Sequence, residues 1–123
     1  MWVFLSVSAV AHEWTPTYPK LELSHIRDIY KVEMKLFNSR EDVDFYEIGV
    51  FDELWNPIPF ALQNSKTIVM VKYKQTRWFD VYIRSKDRNR ATYVCSKSKL
   101  LTEDVNKPMF FSRICSKINR DNK

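Results

Sequence analysis

The stretch Tyr30–Asn38, YKVEMKLFN, alternates apolar and charged side chains over most of its length. The two sets face opposite ways: Tyr30, Val32, Met34 and Leu36 on one side, Lys31, Glu33 and Lys35 on the other. An alternation with a period of two residues is typical of a half-buried β-strand. This stretch therefore predicts a strand that lies between a core and water.

Similar strand patterns follow along the chain and are separated by short polar turns. They are DFYEIGVFD (44–52), KTIVMVKYK (66–74), RWFDVYIR (77–84), ATYVCSK (91–97) and MFFSRICSKI (109–118). In the third of these, Phe79, Val81 and Ile83 are expected to point inward, with Trp78, Asp80, Tyr82 and Arg84 pointing outward. Regularly spaced strands predict an all-β protein: a single immunoglobulin-like antiparallel β-sandwich, with at most one short helix, at Ser98–Val105.

The N-terminus has the pattern of an export signal. Trp2–Ala11 is apolar and uncharged, is too short to span a bilayer, and ends in Ala9-Val10-Ala11, which favours cleavage before His12. The alternative is a buried first strand at residues 2–11. We divide the chain into a signal-like segment (1–11), an extended Pro-containing arm (12–26), the sandwich domain (27–118) and a polar tail (119–123).

Composition excludes several classes of function. The chain has 123 residues, enough for one core, and its single glycine, Gly49, rules out glycine-rich phosphate loops. The net charge is +5, and residues 84–123 alone carry +7. This imbalance indicates a basic C-terminal face for an acidic partner, or a solvated surface that serves solubility.

The two cysteines, Cys95 and Cys115, allow three interpretations: a disulfide, half of a metal site, or two unrelated thiols, of which one could be catalytic. Only His12 and His25 are available as histidine ligands, both near the N-terminus, so a zinc site is not expected. A catalytic cysteine would need a histidine partner, for which His25 is the candidate. An even cysteine count and an export-like N-terminus favour a Cys95–Cys115 disulfide.

No catalytic motif is present. The acidic groups Glu41-Asp42-Asp44 and Asp52-Glu53 lie in predicted turns, where solvation is expected to leave carboxylates with ordinary pKa values. We therefore predict a protein that is not an enzyme, with no metal and no cofactor.

Two candidate binding features remain. The first is a basic face: Arg84, Lys86, Arg88, Arg90, Lys97 and Lys99. The first four lie on a predicted hairpin tip that suits acidic glycans, lipid headgroups or a protein. Because aromatic residues interleave with basic ones nearby, single-stranded nucleic acid is a further, less favoured partner.

The second feature is the loop DELWNPIPF (52–60), which is apolar for a loop. Leu54, Trp55 and Ile58 are its candidate interface residues. A loop tryptophan of this kind either covers one end of the core or contacts a partner.

Four segments, HEWTPTYPKLELSHI (12–26), MKLFNSREDVDFYEIGVFDELWNPIPF (34–60), RSKDRNRATYVCSKSKL (84–100) and SRICSKI (112–118), carry a resemblance. The chain resembles a family of short, uncharacterised secreted proteins encoded by tailed phages of marine bacteria, notably cyanophages. The strand pattern of residues 29–53 also looks like that of the N-terminal immunoglobulin-like domain of periplasmic pilus chaperones. The first resemblance implies a phage source and an exported protein, in the host periplasm or outside the cell.

Together these observations predict a non-enzymatic, exported binding or assembly module that acts on a protein partner or an anionic envelope or glycan surface. No transmembrane span is expected. The alternative is a structural accessory protein of the virion, which would keep its N-terminal segment.

Overall fold

The computed structural model describes residues 12–63, 66–99 and 112–119. These residues form nine strands: β1 (Glu13–Thr15), β2 (Glu22–Leu23), β3 (Ile29–Phe37), β4 (Phe45–Phe51), β5 (Phe60–Ala61), β6 (Ile68–Met70), β7 (Thr76–Arg84), β8 (Tyr93–Lys99) and β9 (Arg113–Lys117). A 3₁₀ turn at Ser85–Asp87 is the one helical element among the described residues. The predicted all-β class is confirmed.

The strands form two antiparallel sheets that pack face to face. Sheet 1 has the order β1-β3-β7-β5, with β2 paired to the other end of β3. Sheet 2 has the order β6-β4-β8-β9. Two sheets that bury one face each make a β-sandwich, as predicted.

The core follows from the alternation in β3, β4, β7 and β8. Its buried side chains include Val32, Met34 and Leu36 of β3, Tyr46, Ile48 and Val50 of β4, Val81 and Ile83 of β7, and Val94 of β8. In β7 the predicted inward and outward sets are both confirmed, because Phe79, Val81 and Ile83 are buried and Trp78 is exposed. Burying a side chain of this size stabilises the fold by roughly 1.5–3 kcal/mol.

The strand order resembles that of immunoglobulin constant domains, in which one sheet is A-B-E-D and the other C-F-G. Two features differ. Strand β5 precedes β6 along the chain although β6 pairs with β4, and the disulfide joins two neighbouring strands instead of the two sheets. The immunoglobulin-like assignment stays a prediction.

The segment predicted as an extended arm, residues 12–26, belongs to the sandwich. Strand β1 pairs with Lys35–Phe37, and Trp14 is buried, with its indole N–H donating to the carbonyl oxygen of Val94 at 2.9 Å. The prolines end this pairing after Thr15 without preventing it. The arm prediction was wrong because a three-residue strand carries too little alternation to detect.

Residues 17–20 then leave sheet 1 and run beside the end of β9. The backbone N–H of Lys117 donates to the carbonyl oxygen of Thr17 at 3.1 Å, and that of Asn119 to Pro19 at 2.7 Å. Residues 13–20 thus contact both sheets, and residues 17–19 pair with the edge of β9 at this end. Paired edges do not recruit another chain by strand addition.

A buried set of polar contacts around His12, made with Ser96, Ser112 and Tyr46, links the start of β1 to sheet 2. We call it the His12 network. The two ring nitrogens of His12 are hydrogen-bonded to Ser96 Oγ at 2.7 Å and Ser112 Oγ at 2.9 Å, and its ring lies against Tyr46. Burial lowers the pKa of His12 to about 4 and raises the pKa of Tyr46 to about 12. His12 is therefore neutral in the folded protein at pH 7.

The predicted polar turn at residues 38–42 contributes to the same end of the core. Asn38 is buried and donates to the carbonyl oxygens of Val43 and Val71. Arg40 is also buried and makes a bidentate ion pair with Asp42. Such satisfied polar groups fix the loops at this end.

Two other predictions differ from the structure. Residues 85–90 were expected to be a hairpin tip, but they carry the chain from β7 in sheet 1 to β8 in sheet 2. The predicted helix does not begin at Ser98, because Ser98 and Lys99 belong to β8. The rest of that helix lies outside the described residues, as do the signal-like segment and residues 120–123 of the tail.

Within the described part of the chain, no helix is long and apolar enough to cross a membrane.

The His12 network predicts a pH-dependent stability. In the unfolded chain His12 gains a proton below pH 6.5, whereas the folded protein takes it up only near pH 4, so stability falls as pH drops through this window. Between pH 7 and 4.5 the loss is roughly 2.5 kcal/mol. In the variant His12→Asn, the free energy of unfolding, measured with urea, should fall by roughly 2.5 kcal/mol less between pH 7 and 4.5 than it does in the parent protein.

The matched control is His25→Asn, since His25 is exposed and outside the network. It should keep the pH dependence of the parent protein. A His12→Asn variant that loses as much stability on acidification as the parent would show that His12 is not the titrating group.

Candidate functional site

The disulfide lies on the outer face of sheet 2. Cys95 and Cys115 are directly opposite each other in β8 and β9, with Cα atoms 4.0 Å apart and sulfurs 2.05 Å apart. Their neighbours Val94 and Ser96 are buried on the inner face, so alternation directs the cysteines outward. The predicted Cys95–Cys115 bond is confirmed, and it closes the segment between them.

The only glycine of the chain makes room beside this disulfide. Gly49 is paired with Cys95 across β4 and β8, and the ring of Phe51 lies over it. A Cβ atom at position 49 would lie 2.8 Å from Cε2 of Phe51, closer than carbon atoms pack. An aromatic ring over a strand glycine covers backbone that would otherwise be exposed.

Trp55 folds back from the β4–β5 loop onto this face. Its ring stacks on that of Tyr93, with centroids 4.1 Å apart and planes 3° from parallel. The centroid of the Phe51 ring lies 6.0 Å from that of Trp55. The backbone of Trp55 has a φ of 66°, a left-handed conformation that costs a bulky residue roughly 1–2 kcal/mol. A residue in such a conformation is held there by its surroundings.

Asp52 holds the loop in this shape. Its carboxylate accepts hydrogen bonds from the backbone N–H groups of Asn56 at 2.8 Å and Leu54 at 2.9 Å, and from the Asn56 side chain at 3.2 Å. The Asn56 N–H, and to a lesser degree the others, lowers the pKa of Asp52, so the carboxylate stays charged and bonded. The loop is therefore a fixed support for Leu54 and Trp55.

Arg113 completes the cluster. Its guanidinium lies 5.0 Å from the ring of Phe51 and 5.1 Å from that of Trp55, and one of its nitrogens is 4.0 Å from the sulfur of Cys95. Cation–π contacts of this kind attract by about 0.5–1 kcal/mol at exposed sites. We call this cluster the Trp55 platform: Phe51, Trp55, Tyr93, Arg113 and the Cys95–Cys115 disulfide.

Of the three residues predicted for the apolar interface loop, two are exposed and one is buried. Leu54 is 79% exposed and Trp55 is half-exposed, as an interface requires. Ile58 is 2% exposed and belongs to the core, because its N–H bonds to Val50 and draws it inward. Trp55 packs on Tyr93 and Phe51 at the outer face of sheet 2.

The predicted basic face divides into two groups. Lys97 and Lys99 lie on the outer face of sheet 2, where Lys99 pairs with Glu47 at 3.2 Å. Arg84, Lys86, Arg88 and Arg90 surround the crossover that follows β7. They do not form one surface with the lysines of β8.

The arginines of the crossover already have partners. Asp87 is buried and accepts ion pairs from Arg84 at 2.8 Å and Arg90 at 3.2 Å. The guanidinium of Arg88 packs over the ring of Tyr30 and donates to its hydroxyl. Much of the charge predicted for this tip therefore stabilises the crossover itself.

The interleaved aromatic residues do not all share one face either. Tyr73 lies in a turn, and Trp78 and Tyr82 lie on the outer face of sheet 1 beside Glu33 and Asp80. Carboxylates at these positions repel a phosphate backbone.

Two platform residues, Tyr93 and Arg113, were not predicted as site residues. Their positions depend on strand register, which places Arg113 opposite Lys97 and Tyr93 opposite Phe51. The cysteine pair contained the necessary signal, since pairing Cys95 with Cys115 fixes the register of β8 and β9.

Across residues 12–63, 66–99 and 112–119, no group of three or more His, Cys, Asp or Glu side chains is placed to hold a metal ion. His12 and Ser96 are within hydrogen-bond distance, but both are buried and neither is accessible to a substrate.

No protein-family model matches the chain, and no curated protein matches it significantly. The interpretation of the site therefore depends on its geometry and its chemistry.

We expect the disulfide to contribute about 3 kcal/mol to the free energy of unfolding, because it closes a segment with a sequence separation of 20 residues. The variant Cys95→Ser/Cys115→Ser should lose this amount in urea unfolding. The reduced parent protein is the matched control and should lose the same amount. A loss below about 1 kcal/mol in both would contradict a stabilising role for the bond.

Proposed function

We propose that this chain is an exported, non-enzymatic binding module, phage-encoded as its sequence resemblance implies, that presents the Trp55 platform to an anionic partner in the bacterial envelope. The observation that carries the proposal is the rigid loop of residues 52–56. It holds a half-exposed tryptophan against a face that is rich in cations, with an exposed leucine next to it in the chain.

The residue types of the platform favour binding. Tryptophan, tyrosine and arginine are the residues most enriched among those that dominate interface energies. Here Trp55, Tyr93 and Arg113 contact one another in a fixed arrangement before any partner arrives. A preorganised surface loses little conformational entropy on binding.

The charge of the surrounding face favours an anionic partner. Lys97, Lys99, Arg113 and Lys117 occupy outward positions of β8 and β9, and Glu47 is the carboxylate facing them from β4. The outer face of sheet 1 is mixed, because Glu33 and Asp80 face each other across β3 and β7. Complementary charge increases the association rate and selects the partner.

Export is supported by the disulfide, because such bonds form and persist in oxidising compartments. The pattern of residues 1–11 supports it as well.

Binding is tested by cosedimentation with cyanobacterial envelope fragments. Leu54→Ser and Arg113→Gln should each weaken binding about tenfold or more, as expected for residues at the centre of an interface. Added salt should weaken binding of the parent protein too, because the partner is anionic.

Leu23→Ser is the matched control, since Leu23 is 74% exposed but lies in β2 of sheet 1. It should bind as the parent does. Equal losses for Leu54→Ser and Leu23→Ser, or no binding by the parent protein, would overturn the proposal.

Export is tested by the intact mass of the protein isolated from producing cells, with and without thiol alkylation. We expect a chain that begins at His12, is two hydrogens lighter than its reduced form and resists alkylation. A chain that begins at Met1 with two alkylated thiols would contradict export.

A further inference from the structure

The two ends of the Cys95–Cys115 bond are not equally accessible. Cys95 is 2% exposed, whereas Cys115 is partly exposed, although both side chains lie on the outer face of sheet 2. Exchange with a thiol begins when its thiolate attacks one of the two sulfurs of a disulfide, and access helps to decide which one. Cys115 is therefore the end of this bond that a thiol in solution reaches more easily.

The strand order also favours attack at Cys115. In thiol–disulfide exchange the entering thiolate, the attacked sulfur and the leaving sulfur lie nearly in a line. An attack on Cys95 must come from the side of β4, where Gly49 is its partner and the ring of Phe51 covers that glycine. An attack on Cys115 comes from beyond β9, which is the edge strand of sheet 2 in the described part of the chain. The described backbone hydrogen bonds across that edge begin at Lys117, past Cys115.

The sulfur that would leave has a cation beside it. One guanidinium nitrogen of Arg113 lies 4.0 Å from Sγ of Cys95, and the guanidinium is held over the rings of Phe51 and Trp55. A neighbouring cation stabilises a thiolate, and a sulfur that leaves as a stabilised thiolate leaves faster. Attack at Cys115 therefore places the new negative charge on Cys95, next to Arg113.

The other charges near the leaving sulfur do not oppose this step. Cys95 and Arg113 both line a groove of about 300 Å³ on the outer face of sheet 2. Glu47 lines the same groove, but its position is opposite Lys97 and its carboxylate pairs with Lys99 at 3.2 Å. Because two lysines offset this one carboxylate, a thiolate formed on Cys95 has surroundings of net positive charge.

We propose that the disulfide is a thiol-exchange site, at which a thiol modifies Cys115 while Arg113 stabilises the departing Cys95. The incoming thiol loses its proton to solvent, and its sulfur attacks Sγ of Cys115. A new S–S bond forms there as the Cys95–Cys115 bond breaks, and the electron pair of the broken bond stays on Sγ of Cys95. One disulfide replaces another, so the step consumes nothing but the thiol.

The product carries the added group on the face that forms the Trp55 platform. Attack by the Cys95 thiolate on the modified Cys115 reverses the step, restores the original bond and releases the thiol. The exchange needs no envelope partner, so this inference does not depend on the proposed function.

The site of attack is tested by treating the oxidised full-length protein with mercaptoethanol, a small neutral thiol. N-ethylmaleimide then blocks free thiols after short intervals, and peptide mass spectrometry reads both cysteines, which trypsin separates at Lys97 and Arg113. We expect mercaptoethanol on Cys115 and the blocking group on Cys95, in about tenfold or greater excess over the reverse pattern. Equal amounts of the two patterns, an excess of the reverse pattern, or no adduct on Cys115 would overturn the proposal.

The role of the guanidinium is tested by the rate of this reaction in the variant Arg113→Gln. We expect it to react about threefold or more slowly than the parent, because the leaving thiolate loses its cation. A variant that was merely loosened would expose the bond and react faster, so the direction of the change separates the two effects.

The matched control is Lys117→Gln. It removes the same charge from the same strand and face, and like Arg113 it lies two residues from Cys115, but its register partner is Tyr93 and not Cys95 or Lys97. Because the thiol is neutral, this control should react at the rate of the parent. An unchanged rate in Arg113→Gln, or equal slowing in both variants, would contradict the role proposed for Arg113.

Discussion

The register of β8 and β9, fixed by the Cys95–Cys115 bond, is the constraint on which the Trp55 platform depends. A shift of one residue would turn the cysteines and Arg113 toward the core and bring Ile114 to the outer face. The same register places the end of β9 beside residues 17–20. One covalent bond thus aligns the residues of the platform.

The outer face of sheet 2 differs from an ordinary solvated sheet face in the way its parts support one another. Phe51 lies over Gly49, Trp55 stacks on Tyr93, and the loop that carries Trp55 is held by hydrogen bonds to Asp52. A left-handed tryptophan is an energetic cost that the core does not require. In the proposed function, this conformation of Trp55 presents a rigid aromatic and apolar surface to a partner.

Sequence patterns predicted the parts of this structure that depend on local alternation. The inward and outward faces of β3, β4 and β7 follow from period-two runs, and an even cysteine count in an export-like chain indicated the disulfide. What the patterns missed depends on long-range pairing: the place of β1, the crossing of residues 85–90 between the sheets, and the burial of Ile58. The basic residues appeared to form one face, because sequence shows charge but not the buried Asp87 that pairs with two of them.

The central claim is that partners bind on the outer face of sheet 2 and not on that of sheet 1. Hydroxyl-radical labelling, read by peptide mass spectrometry, compares the two faces in one experiment, since Trp55 and Trp78 are both substantially exposed and lie on opposite sides. With envelope fragments present, the account predicts slower labelling of Trp55 and unchanged labelling of Trp78. Protection of Trp78 with Trp55 unchanged would contradict it.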